Sequence, residues 1–361
     1  MLSEKSLGKA TFREIHNQAV ACQETIENAP TRLQRFQRLL PLDRYTDVLL
    51  TGCGSSYNLA QCAAFAWSEM LEKPAYAAPA SELMHFASRY LSRAAKPLII
   101  AISRTGGTTE VKRAVEALRL QYQARSLAIT LEPGSDVGSV CDVEIAIPEC
   151  YEDSVVMTQA FASILTAIYL LGDGATGGRY YTHIKKIPDL IEAGIQGNEE
   201  AIRDLAFDPK TDRFFFLGSG PMKGLADESA LKMTEMALCA SSSFHALEFR
   251  HGPIAALDKS GLVTLFASQA EGQYLKNLVG DVALTGAGVL LVSSDHPAEP
   301  VGEQRAIDIC CSPDPLDELP EFLRPAALAY VGQLLGYWRS QSAHLNPDLP
   351  RHLERTVLLS S

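Results

Sequence analysis

The sequence predicts an α/β fold built twice, as two tandem domains that each hold a parallel sheet flanked by helices. Three observations predict it. Short apolar runs alternate with helical patterns, at 47–56, 98–102, 126–130 and 143–147, which is the spacing of a parallel sheet covered on both faces. The same order then returns at a near-constant separation: Gly52 and Gly54 correspond to Gly218 and Gly220, Ser103 to Ser268, and Pro148 to Pro313. Finally, 361 residues are enough for two domains with separate cores.

Residues 1–40 read as an N-terminal helical segment. Within it, 11–40 is rich in Glu, Gln and Arg and is expected to form one or two amphipathic helices, broken near Pro30. The first domain spans 41–180. Its first strand, DVLLTGCGSS at 47–56, runs into a turn of small residues, and a helix follows at 57–71. The run PLIIAI then reads as a buried strand that breaks into Ser103-Arg104-Thr105-Gly106-Gly107-Thr108-Thr109-Glu110, with a helix from about Glu110. A turn rich in hydroxyls and glycine between a strand and a helix N-terminus suits an anion. Loop and first-turn amides point outward, the helix dipole favours negative charge, and glycine lets the backbone approach. The same pattern fits an ordinary turn capped by threonine. It lacks the Gly-Lys-Ser/Thr of a nucleoside triphosphate loop. Residues 154–172 are the most membrane-like, but Gln159, Ser163 and Thr166 make them a buried helix instead.

A linker helix at 181–209 leads to the second domain, 210–340, and a C-terminal tail at 341–361. The second copy carries Ser268-Gln269-Ala270-Glu271-Gly272 where the first has its hydroxyl loop. A carboxylate there would repel an anion, so one phosphate site per chain is expected, in the first domain. The helix at 225–238 places Glu228, Lys232 and Glu235 on one face, with Asp227 to one side. Spacing alone fits a solvent-facing ion-pair stripe as well as a site. A serine-rich turn is expected at 241–243. His251, before Gly-Pro, is expected at a surface turn.

The formal net charge of −11 argues against nucleic acid as a partner, while leaving room for a local anion nest. Hydrophobic content of 47% and charged content of 21% are ordinary for a globular chain. The 8 cysteines show no metal spacing and read as reduced thiols of a cytoplasmic protein. The N-terminus is charged from residue 4 and is not read as a signal peptide. Neither a membrane, a metal nor a cofactor is expected.

Five motifs in order carry a resemblance that covers nearly the whole chain. Cys53-Gly54-Ser55-Ser56 is similar to Cys-Gly-Thr-Ser, and 103–110 is similar to a Ser-x-Ser-Gly-x-Thr phosphate loop. Ala230-Leu231-Lys232-Met233-Thr234-Glu235 is similar to Ala-Leu-Lys-Leu-Lys-Glu, and Glu248-Phe249-Arg250-His251-Gly252-Pro253 to Glu-Leu-Lys-His-Gly-Pro. The tail Pro350-Arg351-His352-Leu353-Glu354-Arg355 is similar to Pro-Arg-Asn-Leu-Ala-Lys. Together they resemble the tandem sugar-isomerase (SIS) family, in particular the isomerase half of glutamine–fructose-6-phosphate aminotransferase. The resemblance implies two SIS domains, each a flavodoxin-like three-layer sandwich.

It also implies roles. Ser55, Ser56, Ser103, Thr105 and Thr108 would hold a sugar 6-phosphate. Glu235 would shuttle a proton between C1 and C2 of the opened sugar. His251 would open the ring, contributed across a homodimer interface. Lys232 and Glu228 would orient the base and the sugar hydroxyls. Departures narrow the expectation. No glutaminase module precedes the domains, so glutamine-dependent amination is not expected. Arg355 stands where the aminotransferase has its Schiff-base lysine; arginine stays protonated, so it would instead polarise the sugar oxygen or close the site. Arg104 replaces an uncharged residue and would strengthen anion binding. The expected function is a cofactor-free phosphosugar isomerase or deaminase acting at C1/C2. A fructosamine-6-phosphate deglycase and a non-catalytic sugar-phosphate sensor are the alternatives; Glu235 and His251 disfavour the sensor.

Overall fold

The computed structural model describes residues 7–293, 306–310, 316 and 318–359. The chain divides into two compact units, and each is described by itself. The first combines Gln18–Glu152, Gln159–Pro188 and Glu354–Ser361; the second combines Met1–Asn17, Asp153–Thr158 and Asp189–Leu353.

The N-terminal stretch holds three α-helices where one or two were expected: α1 (Lys9–His16), α2 (Gln18–Glu27) and α3 (Ala29–Phe36). Pro30 lies in the first turn of α3. Proline fits there without loss, because that N–H has no partner within the helix.

The first sheet contains β1 (Asp47–Gly52), β2 (Ala75–Pro79), β3 (Pro97–Ile102), β4 (Arg125–Thr130) and β5 (Val143–Ala146). Its order is β2-β1-β3-β4-β5, every pair parallel. All six residues of β3 are buried, as a continuous apolar run in a covered parallel sheet requires. The sheet is interleaved with α4 (Ser55–Leu71), α5 (Ala80–Phe86), α6 (Thr109–Tyr122) and α7 (Asp136–Ser139), and α8 (Gln159–Ala175) follows. The apolar helix starts at Gln159 instead of Ser154, because Ser154 is held elsewhere. The buried carboxylate of Glu14 accepts from the amides of Asp153 (2.6 Å) and Ser154 (3.2 Å) and from the Ser154 hydroxyl. In the first unit, α4 and α8 pack tightly: Trp67 Nε1 donates to Ile168 O at 2.9 Å.

After α9 (Tyr181–Ile184) and α10 (Ile187–Phe207), the second sheet repeats the first with β6 (Arg213–Gly218), β7 (Ser241–Phe244), β8 (Gly261–Phe266), β9 (Gly288–Ser293) and β10 (Ala306–Cys310). Its order, β10-β9-β8-β6-β7, matches the first sheet strand for strand, and all its pairs are parallel. The turn glycines repeat as well: Gly54 and Gly220 both have φ of +54°. A Cβ on Gly52 would strike the Ser56 backbone at 2.6 Å, and one on Gly218 the Met222 carbonyl at 2.4 Å. Both turns therefore need the same two glycines.

The sequence reading of 241–243 as a turn is corrected: it is edge strand β7, parallel to β6. Ser241 and Ser243 face α11 (Met222–Ala237), donating to Ala230 O and Asp227 Oδ1 at 2.6 and 2.5 Å. Pro313, the expected counterpart of Pro148, lies outside the described residues. The remaining helices are α12 (Gly272–Leu284), α13 (Arg324–Leu328) and α14 (Tyr330–Ser342). Among the described residues no helix is long and apolar enough to cross a membrane.

Candidate active site

In the first sheet β1 and β3 are neighbours, and the chain continues from them in opposite directions, to β2 and to β4. Their carboxyl ends form the topological switch point, where open α/β sheets hold ligands. The turn after β1 delivers Ser55 and Ser56 to the first turn of α4, and the turn after β3 delivers Ser103, Thr105 and Thr108 to the start of α6. Neither helix has a capping side chain. Two helix N-termini and five hydroxyls at this end of the sheet have the chemistry to receive an anion. Ser103 is buried, with its Oγ 2.9 Å from Thr108 Oγ1.

The loop is shaped from behind by the β4–α7 connection. Leu131 N donates to Arg104 O at 2.9 Å and Val137 N to Gly106 O at 2.8 Å. Gly106 has φ of +69°, and a Cβ there would lie 2.2 Å from Ser135 Cβ. Glu144 holds that connection, accepting from Gly134 N (2.7 Å), Ser135 N (3.1 Å) and Ser135 Oγ (2.6 Å). Burial opposes the charge on Glu144, but the Ser135 hydroxyl and these amides outweigh it and hold its carboxyl below its usual value. In the turn after β1, burial pushes the Cys53 thiol up to about 11, with the nearby Glu110 charge adding to the effect. Cys53 is a neutral thiol at physiological pH, not a nucleophile.

Arg104 does not offer its guanidinium to solvent. Its Nη1 lies 3.0 Å from Glu152 Oε2; the Glu152 side chain is 0% exposed and that of Arg104 10%. Glu152 Oε1 accepts from Ala160 N at 3.1 Å, in the first turn of α8. The tail reaches the same residue: Arg355 Nη2 donates to Glu152 O at 2.5 Å, and its guanidinium carbon stands 4.9 Å above the Tyr151 ring. Arg355 is thus an anchor of the tail. Thr356 Oγ1 donates to Thr105 Oγ1 at 2.8 Å.

In the second unit, α11 carries the expected carboxylate–lysine ladder, and it is buried. Lys232 Nζ lies 3.3 Å from Glu228 Oε1 and forms a short hydrogen bond to Glu235 Oε2. The side chains of Lys232 and Glu228 are 1% and 2% exposed, and that of Glu235 is 17%. The solvent-facing stripe is therefore excluded. Burial alone would lower the lysine's pKa, but Glu228 and then Glu235 outweigh it and hold it above its usual value. The ladder is fixed from α14, because Gly332 and Gly336 bring that helix against the backbone of Ser229 and Lys232. Asp227, on the neighbouring face, pairs with Lys223 and Ser243. His251 is exposed at the end of a short helical turn, Leu247–Arg250. Buried Phe249, packed on Phe215 and Phe244, anchors that turn, and Arg250 pairs with Asp281 at 2.7 Å. Glu271 stands at the start of α12, its carboxyl raised by burial.

The first unit thus gathers Ser55, Ser56, Ser103, Thr105, Thr108, Arg104 and Arg355; the second gathers Glu228, Lys232 and Glu235, with His251 on a separate turn. Sequence reasoning missed Glu152, Glu144 and Thr356. None belongs to a local pattern; only the fold brings them to the loop.

Comparisons agree with this architecture. Residues 44–173 match the SIS domain family model. Glutamine–fructose-6-phosphate aminotransferase (isomerizing) of Methanothermobacter thermautotrophicus is 26% identical over 96% of this chain. The chain spans 57% of that relative's length. The structure of glucosamine-6-phosphate deaminase from Thermotoga maritima is similar with a TM-score of 0.77 at 29% identity, covering 97% of this chain and 100% of that one. Tagatose-6-phosphate ketose/aldose isomerase from Escherichia coli shares the fold, with a TM-score of 0.81 at 21% identity over 94% of this chain and 95% of that one. The chain thus carries an SIS-domain match at 44–173 and is similar along its length to glutamine–fructose-6-phosphate aminotransferase and to glucosamine-6-phosphate deaminase.

Proposed function

We propose that this chain catalyses proton transfer between C1 and C2 of a 6-phosphorylated sugar or amino sugar. The observation that carries the reading is the buried ladder on α11, a carboxylate held by a buried lysine that a second carboxylate also contacts. A merely structural surface stripe would not be buried, and a passive sensor needs no such base. In the proposed reaction Ser55, Ser56, Ser103, Thr105 and Thr108 bind the phosphate. His251, supplied by a second copy of the chain, opens the ring. Glu235 takes the proton from C2 of the aldose form and returns it to C1. Lys232 and Glu228 keep Glu235 oriented. With a hydroxyl at C2 the product is the ketose. With an amine at C2 the proton transfer gives the ketose imine, whose hydrolysis by water releases ammonia.

Ammonia release is favoured by the likeness to the Thermotoga maritima deaminase, which is 29% identical with full coverage of that chain. The test is proton NMR in D2O with glucosamine, fructose, glucose, galactosamine, tagatose and fructoselysine 6-phosphates. Deuterium entering C1 or C2 is expected, and the product distinguishes isomerase, deaminase and deglycase. Ligand line broadening with no exchange on any of them would identify a sensor instead.

A further inference from the structure

We infer that Thr356 is a positioning residue of the phosphate loop: it orients the Thr105 hydroxyl so that its proton points to the substrate phosphate. This rests on the reading of residues 103–110 as the phosphate site. A threonine hydroxyl has one proton to donate and two lone pairs to accept with. At Thr105 both lone pairs are engaged from within the chain. Thr356 Oγ1 donates to Thr105 Oγ1 at 2.8 Å, and Gly107 N donates to it at 3.4 Å. The proton of Thr105 is what remains for a ligand, so the ligand must accept. A phosphate oxygen does so, and a chain of hydrogen bonds running Thr356 to Thr105 to phosphate polarises each link in the same sense.

The tail is built to bring Thr356 there. Gly107 leaves the necessary space, since a Cβ on it would lie 3.1 Å from Thr356 Cγ2. Arg355 pins the preceding residue through Glu152 O and the Tyr151 ring, and Leu359 N donates to Thr109 Oγ1 at 3.3 Å beyond it. The coupling runs both ways: phosphate that fixes the Thr105 proton strengthens the bond from Thr356 and with it the seating of the tail.

Limited proteolysis tests this, because Arg355 is itself a trypsin site next to Thr356. The quantity read is the ratio of cleavage rates after Arg355 with and without inorganic phosphate, taken within each variant so that subsite effects of the substitution cancel. Phosphate is expected to slow cleavage several-fold in the unmodified chain. Thr356→Val should abolish the protection and weaken phosphate binding by calorimetry, and Thr356→Ser should restore both. Wild-type protection and affinity in Thr356→Val, or no protection in the unmodified chain, would overturn the inference. Ser103→Ala separates the two levels. If it binds phosphate as well as wild type, the phosphate-loop reading itself fails; if it loses binding while Thr356→Val does not, only the role of Thr356 fails.

Discussion

Arg104 and Glu152 form a buried ion pair behind the 103–110 loop, 3.0 Å apart, with the carboxylate wholly inaccessible to solvent. The sequence expectation placed Arg104 among the phosphate ligands. Here the carboxylate fixes the guanidinium in the framework, and Glu152 also meets the start of α8 and the tail residue Arg355.

Removing one partner of such a pair leaves the other charge buried and unpaired, which costs about 3–5 kcal/mol. Glu152→Gln is expected to lower stability by an amount of this order in urea unfolding. Arg104→Gln combined with Glu152→Gln should recover part of the loss. A single variant as stable as wild type would contradict the pairing.

The two glycines of α14 should respond unequally to alanine. At Gly332 the new Cβ would lie 2.5 Å from Ser229 Cβ, a clash between two rigid helices. Such overpacking costs about 1–3 kcal/mol. At Gly336 the nearest atom is Lys232 O at 3.1 Å, a contact relieved by a small shift. There the helix-propensity gain of about 1 kcal/mol offsets the strain. Thermal unfolding should therefore show Gly332→Ala clearly destabilised and Gly336→Ala near neutral. The reverse order would show that α14 does not seat on α11 through Gly332.

Glu144 predicts a pH dependence. Its folded pKa is lowered, so its stabilisation is fully present above the unfolded value of about 4.3 and is lost as pH falls through the folded value. Glu144→Gln should cost about 1.5–3 kcal/mol at neutral pH, the range for hydrogen bonds to a charged group. The gap to wild type should close in acid. A gap independent of pH would mean that the carboxylate charge does not hold the loop.

The legible parts of the fold were those with local signatures. β3 and β8 are buried along their length and β1, β4, β6 and β9 along most of it, and the paired turn glycines exposed the duplication. β2 and β7 were missed because their sequences are weak strand formers: AYAAP is mostly alanine and ends in proline, SSSF is mostly serine, and both are largely half-exposed. The ladder of Glu228, Lys232 and Glu235 was legible as a helix face. Its burial was not, because that depends on α14, about a hundred residues further on, packing through two glycines. Glu152 and Thr356 were illegible for the same reason: their partners, Arg104 and Thr105, are distant in sequence and meet them only through the fold.

The central claim is that Glu235 moves the proton. The most direct measurement compares wild type and Glu235→Gln for deuterium incorporation at C1 and C2 in D2O, using the 6-phosphate that the wild-type protein turns over. Binding of the same compound is followed by calorimetry. The account predicts that Glu235→Gln still binds and incorporates no deuterium. Exchange at the wild-type rate in Glu235→Gln would contradict it.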